Sequence, residues 1–260
     1  MGGVNFLTDV CIRPEARLKA AVIDKLYNGA HVDRDSVVVS EMVVDNWARR
    51  ADVVLANGKL WCFEIKSELD SLSRLPGQIS TFAKSFEKLI IVVAGKFEEP
   101  ARAMLPDGVG LWVEDVDGVL KERIRPRISP LSKSAAINAM TAAELRRLLA
   151  CNGLAPGTGA QRAQLCEMAA CLPAADLANA ARDAIKLRYR ARHAVFERER
   201  HARGTVAALS ALRRPVVRSA RSTSFEAQTA VADTNDCGIA PEHPAMFMAP
   251  AGPVLRRLRR

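Results

Sequence analysis

The sequence predicts an α/β protein: a mixed sheet flanked by helices over residues 1–130, then a small all-helical region, then a disordered basic tail. Three observations carry this. Apolar β-branched runs alternate with amphipathic segments in the first half. Strand signals almost vanish after Pro130. Beyond Arg213 the chain is rich in Pro, Ser, Thr and Ala, with too few large apolar residues to offset chain entropy.

"RPEARLKAAVIDKLYNG" reads as a helix, with Leu18, Ala21, Val22 and Leu26 at helical spacing and Asn28-Gly29 as its stop. "SVVVSEMVV", Ser36 to Val44, is a strand, and "ADVVLANGKLWCFEIK" is a hairpin about Asn57-Gly58. "LSRLPGQISTFAKSFEK" spaces Leu75, Ile79, Phe82 and Phe86 as a helix does, with Pro76 near its start. "LIIVVAG" is a short buried strand. "GVGLWVED" and "GVLKERIR" are two further strands about a turn at Asp117-Gly118. Pro126 and Pro130 close this domain. "MTAAELRRLLACNGL" then opens with a Thr141/Glu144 capping box and stops at Asn152-Gly153. A second helix follows in "GAQRAQLCEMAACL", so residues 131–175 form a helical hairpin. Residues 176–212 read as one long basic helix, and 213–260 as the disordered tail.

Composition narrows the function. The longest apolar run falls far short of the roughly 20 residues of a membrane helix, and no secretory signal or myristoylation motif is present. The expected compartment is the cytoplasm, with no membrane partner. Six cysteines at 11, 62, 151, 166, 171 and 237 make no C-x-x-C pair, which argues against a zinc site. His31, His193, His201 and His243 are too dispersed to form a site. The net charge of +9 is uneven: residues 1–130 hold 18 Lys or Arg against 19 Asp or Glu, and residues 131–260 hold 20 against 10. That excess points to a polyanion partner, most simply nucleic acid. Tyr189 and Phe196 are the only aromatic residues among the arginines of the basic helix, so duplex DNA is expected over a stacked single strand.

"WCFEIKSE" puts Glu64 and Lys66 inside an apolar run, and hairpin register decides what they face. A two-residue turn pairs Ala56 with Lys59. A three-residue loop, Ala56-Asn57-Gly58, pairs Leu55 with Lys59, and it is preferred because it gathers Val53, Leu55, Trp61, Phe63 and Ile65 on one face. Asp52, Cys62, Glu64 and Lys66 then share the other, with Asp52 a diagonal neighbour of Glu64. Two converging carboxylates suit a hard divalent cation, and a lysine beside them orients a water or neutralises an attacked phosphate. The bland reading is a solvated surface ion pair.

These residues resemble the PD-(D/E)XK nuclease superfamily, of restriction-endonuclease-like fold. The likeness rests on Asp52, on Glu64-Ile65-Lys66, on "RRADVVL" before them and on "EIKSELDSLSRLPGQI" after. It is more specifically similar to a bacterial and phage group of unsettled function that also carries a late "P-x-G-V-G-L", here Pro106 to Leu111. Ala51 departs from the Pro of the superfamily label. The resemblance implies a Mg²⁺- or Mn²⁺-dependent deoxyribonuclease in which Asp52 and Glu64 hold the metal and Lys66 is the catalytic lysine. It further implies Glu41 as an additional metal-binding acid and Gln78 as a supporting helix residue. Ser67, Asp70 and Arg74 match the family helix, where Arg74 reaches a phosphate; otherwise Asp70 and Arg74 are a helix ion pair. Residues 140–169 resemble the SAP motif, a DNA-binding helix-extended-helix module. That likeness implies phosphate contacts by Arg146, Arg147 and Arg162, to which the basic helix adds Lys186, Arg188 and Arg190. Two alternatives stay open: a catalytically inactive DNA-binding protein on the same scaffold, and an adaptor whose basic helix contacts RNA or protein.

Overall fold

Helix α1 (Pro14–Asn28) opens the computed structural model, which describes residues 13–44 and 49–213. Pro14 begins it, where a missing N–H costs nothing, and Leu18, Val22, Ile23 and Leu26 form its buried stripe. Six strands make one sheet in chain order: β1 (Val37–Val44), β2 (Arg49–Ala56), β3 (Leu60–Lys66), β4 (Lys88–Ala94), β5 (Gly110–Glu114) and β6 (Leu120–Ile124). β1, β2 and β3 run antiparallel, β3, β4 and β5 parallel, and β6 antiparallel to β5. Parallel neighbours need crossovers. Helix α2 (Leu75–Ser85) supplies the first, and a 3-10 turn at Gly95–Phe97 with α3 (Glu98–Met104) supplies the second. The sequence reading contains α2 but not α3, which buries only Ala101 and so leaves no periodic trace.

The hairpin adopts neither weighed register. Ala56 pairs with Leu60 and Leu55 with Trp61, so the three-residue loop is Asn57-Gly58-Lys59. Gly58 takes the left-handed conformation, φ +102°. This register is two residues removed from the preferred one, so the faces keep their parity. It seats Leu60 in the core and sends the Lys59 ammonium to Glu87, 3.2 Å away.

The C-terminal helices are α4 (Lys133–Ala139), α5 (Ala142–Cys151), α6 (Arg162–Ala170), α7 (Ala174–Arg203) and α8 (Thr205–Leu212). They pack on the sheet rather than apart from it. One core joins Val54, Cys62 and Ile91 of the sheet with Phe82 of α2, Leu145, Leu149 and Leu165 of α5 and α6, and Ile185 of α7. The other joins Val53, Phe63 and Ile90 with α1, α8 and Phe196. All described residues fall in one compact unit. The change near residue 130 is therefore from strands to helices within that unit.

Helix α7 contributes to both cores and so passes along the β1 edge. There His193 Nδ1 accepts the Val38 N–H at 3.3 Å, covering an edge donor that would otherwise invite another strand. The basic helix expected to reach Leu212 ends at Arg203. Gly204, at φ +82° and ψ 166°, occupies a region open essentially to glycine alone, and the apolar α8 turns back onto α1. The expected disordered tail lies, from residue 214 onward, outside the described residues.

Candidate functional site

The β2–β3 ladder ends at Val53 and Phe63, and the next residue of each strand is Asp52 and Glu64. Where the strands part, Asp52 Oδ2 accepts the Ile65 N–H at 2.8 Å. On β1, Ser40 pairs with Val53 and Met42 with Ala51, leaving Glu41 opposite Asp52. Glu41, Asp52 and Glu64 therefore form a row across three adjacent strands. Glu41 stands at φ +57°, a conformation that costs a non-glycine residue about 1–3 kcal/mol. The kink reverses side-chain alternation, so Val39 and Met42 enter the same core.

Glu64 is 2% exposed. Its Oε1 accepts from Lys66 Nζ at 2.7 Å and from Gln78 Nε2 of α2. Glu64 Oε2 and Gln78 Oε1 are buried without a partner. Leaving such acceptors unmet costs about 1–3 kcal/mol each. Burial raises the Glu64 carboxyl above its ordinary pKa, with Lys66 and Gln78 pulling the other way. Asp52 is pushed up to about 7, chiefly by burial and then by the Glu64 charge.

Lys19 is the residue that the sequence reading missed. It projects from α1, 4% exposed, with its Nζ 2.5 Å from Glu41, 3.1 Å from Glu15 and 3.9 Å from Asp52. Burial works against its charge, yet Asp52, Glu41 and Glu15 together hold its pKa above the ordinary lysine value. The only linear signal was a lysine between Leu18 and Ala20 on an otherwise apolar stripe. Arg49 was missed as well. It donates to Thr81 Oγ1 at 3.1 Å and lies across α2 at Gly77, where a Cβ would stand 2.8 Å from its Nη2.

The other expected residues separate into engaged and free. Residues 67–74 form turns rather than a helix: Asp70 accepts from the Ser67 N–H and hydroxyl, so no Asp70–Arg74 helix pair forms, and Arg74 is exposed. Arg146 donates to the carbonyls of Gly157 and Ala160, and Arg162 to that of Met140 at 2.8 Å. Arg147 is exposed. Lys186 and Arg190 both engage Asp35, and Arg188 engages both oxygens of Glu144, the capping-box acid. The Thr141–Glu144 capping box is formed as expected. Much of the basic helix thus neutralises acids of its own fold.

Beside the row, a cleft of about 820 Å³ opens between β1, α2, α4 and α7. Glu41 stands at its wall, as do Arg162, Arg188, Tyr189 and Arg192. A mixed sheet with helices on both faces and a buried carboxylate–lysine row at the fork of two strands defines the class: an α/β domain with one polar site set into its sheet. The chain belongs to the family described as Bacteriophage P4 protein cII, which matches residues 10–213. Protein cII of Enterobacteria phage P4 is 46% identical over 97 residues, which is 37% of this chain and 36% of that protein. The match thus spans little more than a third of that relative's length. Among solved structures, the SPO1766 protein of unknown function from Silicibacter pomeroyi has a TM-score of 0.39 at 21% identity, over 55% of this chain and 94% of that one. No helix among the described residues is long and apolar enough to cross a membrane.

Proposed function

We propose that this chain is a divalent-metal-dependent deoxyribonuclease of PD-(D/E)XK type, acting on DNA in the cytoplasm. The observation that carries the reading is the pair of unmet acceptors, Glu64 Oε2 and Gln78 Oε1, buried beside Asp52 and Lys66. A cation held against them would satisfy both, and the donor set is all oxygen, which fits Mg²⁺ or Mn²⁺. Asp52 and Glu64 would hold the ion, with Glu41 further along the row. When bound, such an ion polarises a phosphate oxygen and acidifies a water. The chain's own residues do the rest. Lys66, positioned by Glu64, aims an ammonium at the attacked phosphate and steadies the incoming water. Gln78 fixes the Glu64 carboxylate from α2. Arg74 and Arg147 are exposed cations within reach of a DNA backbone, Arg147 within the SAP-like hairpin.

A second reading rests on Lys19. Its ammonium sits among Glu15, Glu41 and Asp52, whose carboxylate oxygens lie within 4.8 Å of one another, and so supplies a built-in counter-ion. A DNA-binding protein on the same scaffold would need no more than that. Incubation of supercoiled and linear DNA with Mg²⁺ or Mn²⁺ separates the two readings. On the nuclease reading the wild type cuts, and Lys66→Ala lowers the rate by about 10²-fold or more with DNA affinity within about threefold. Binding without cutting at any metal concentration establishes the second.

A further inference from the structure

We infer that the cleft beside Glu41 binds an unpaired stretch of the substrate strand, so that the DNA acted on carries a single-stranded end or flap; this rests on the nuclease reading above. The volume of about 820 Å³ lies within the range of about 300–1,000 Å³ typical of pockets that enclose small ligands. A few nucleotides fit such a space, and a duplex does not.

The wall has the chemistry of a strand site. Lys84 of α2 and Arg192 of α7 line it, and among the described residues neither has an acidic partner. Glu41 is the only acid at the wall among the described residues, and it is already paired with Lys19. Hydroxyls from Ser80 and Ser134 add donors for phosphate oxygens. Tyr189 is half-buried there, with the guanidinium groups of Arg188 and Arg192 each 5.8 Å from its ring centroid. A base stacked on that ring would lie beside Arg192, free to hold its phosphate, while Arg188 stays with Glu144. Phe196, the other aromatic residue of the helix, is fully buried and takes no part. Glu41 belongs both to the cleft wall and to the carboxylate row, so a strand lying in the cleft ends beside the row.

Fluorescence anisotropy in the Lys66→Ala background tests this with three labelled probes: a ten-nucleotide oligothymidine, a blunt duplex, and the same duplex carrying a single-stranded overhang. The overhang is expected to bind at least tenfold more tightly than the blunt duplex. Tyr189→Ala should cut that preference about fivefold or more, while Tyr189→Phe keeps it. The exposed Lys84→Ala should lower the slope of log affinity against log salt by about one for the overhang. Equal affinity for blunt and overhang DNA, or a preference indifferent to Tyr189→Ala and Lys84→Ala, overturns the assignment. If the overhang preference holds while wild type cuts nothing, the nuclease reading fails and the cleft assignment stands. Cutting without the preference gives the reverse.

Discussion

Two glutamates, Glu64 on β3 and Glu87 just ahead of β4, are buried to the same depth and handled in opposite ways. Glu87, 1% exposed, accepts from Arg182 Nε and Nη2 at 2.9 and 2.7 Å and from the Leu60 N–H at 2.9 Å, with Lys59 at 3.2 Å. Burial alone would raise its pKa, but Arg182, the Leu60 amide and Lys59 together hold it below the ordinary value. Glu64, 2% exposed, has both its donors on one oxygen and none on the other, and its pKa rises. The fold supplies everything Glu87 needs as an ion. It leaves Glu64 incomplete, beside a second acid and a strained Glu41. Equal in depth of burial, the two differ in unmet valence, which makes Glu87 a clamp and Glu64 the candidate site.

Breaking each carboxylate's main partner should therefore have opposite signatures. On the nuclease reading the largest effect is expected at the site: Lys66→Ala removes about 10²–10⁴ of a metal-dependent cleavage rate, and its cost in urea unfolding is smaller than at the clamp because the Glu64 carboxyl, already raised in pKa, takes up a proton. At the clamp, Arg182→Ala leaves the buried Glu87 charge short of its main partner and should cost about 3–5 kcal/mol in denaturant unfolding. Cleavage per folded molecule stays within about twofold of wild type in the same preparation.

A smaller effect sharpens the contrast through pH. The Asp52 carboxyl titrates near 7 in the fold against 3.8 as the ordinary value, so the unfolded chain loses its proton first. Its contribution is therefore full below about 3.8 and is lost as pH rises toward 7. Asp52→Asn should raise stability above pH 7 by about 1–2 kcal/mol, or roughly 2–8 °C in Tm, with no gain at pH 4. His193 works in the opposite direction: burial lowers its pKa, so its contribution is present above about 6.5 and is lost as pH falls. A thermal-melt series from pH 4 to 9 on both proteins reads these limbs. If Asp52→Asn melts lower than wild type at pH 8, the charge on Asp52 is stabilising and the site is already complete. Of similar size, Gly204→Ala should cost about 1–3 kcal/mol because the α7–α8 corner needs that backbone region. Denaturant titration measures it, and a cost under about 0.5 kcal/mol would mean the corner relaxes freely.

Alternation made the β3 face legible. Trp61, Phe63 and Ile65 lie toward one core and leave Glu64 and Lys66 opposite, a conclusion that survived a two-residue error in register because parity alone decides the face. Lys19 was not legible, since it reaches the row from α1, whose docking no local pattern encodes; nor was the contact of Arg49 with α2. The charge count is a different case. It points Lys186, Arg188 and Arg190 to an outside polyanion, and within the fold the same three also meet Asp35 and Glu144. Sequence shows how many charges a segment holds but not which distant acids they find. Tyr189, one of two aromatic residues counted too few for a stacking platform, lines a cleft with Arg188 and Arg192.

Helix α8 gives the fold a timetable. Thr205 Oγ1 donates to Asp24 Oδ1 at 2.5 Å, a contact between residues 181 apart that fastens the last described helix to the first. At translation rates of about 5–20 residues per second, roughly 10–40 s separate synthesis of the two. Helix α1 carries Glu15 and Lys19, so the last described helix fastens the one that brings the ammonium to the carboxylate row.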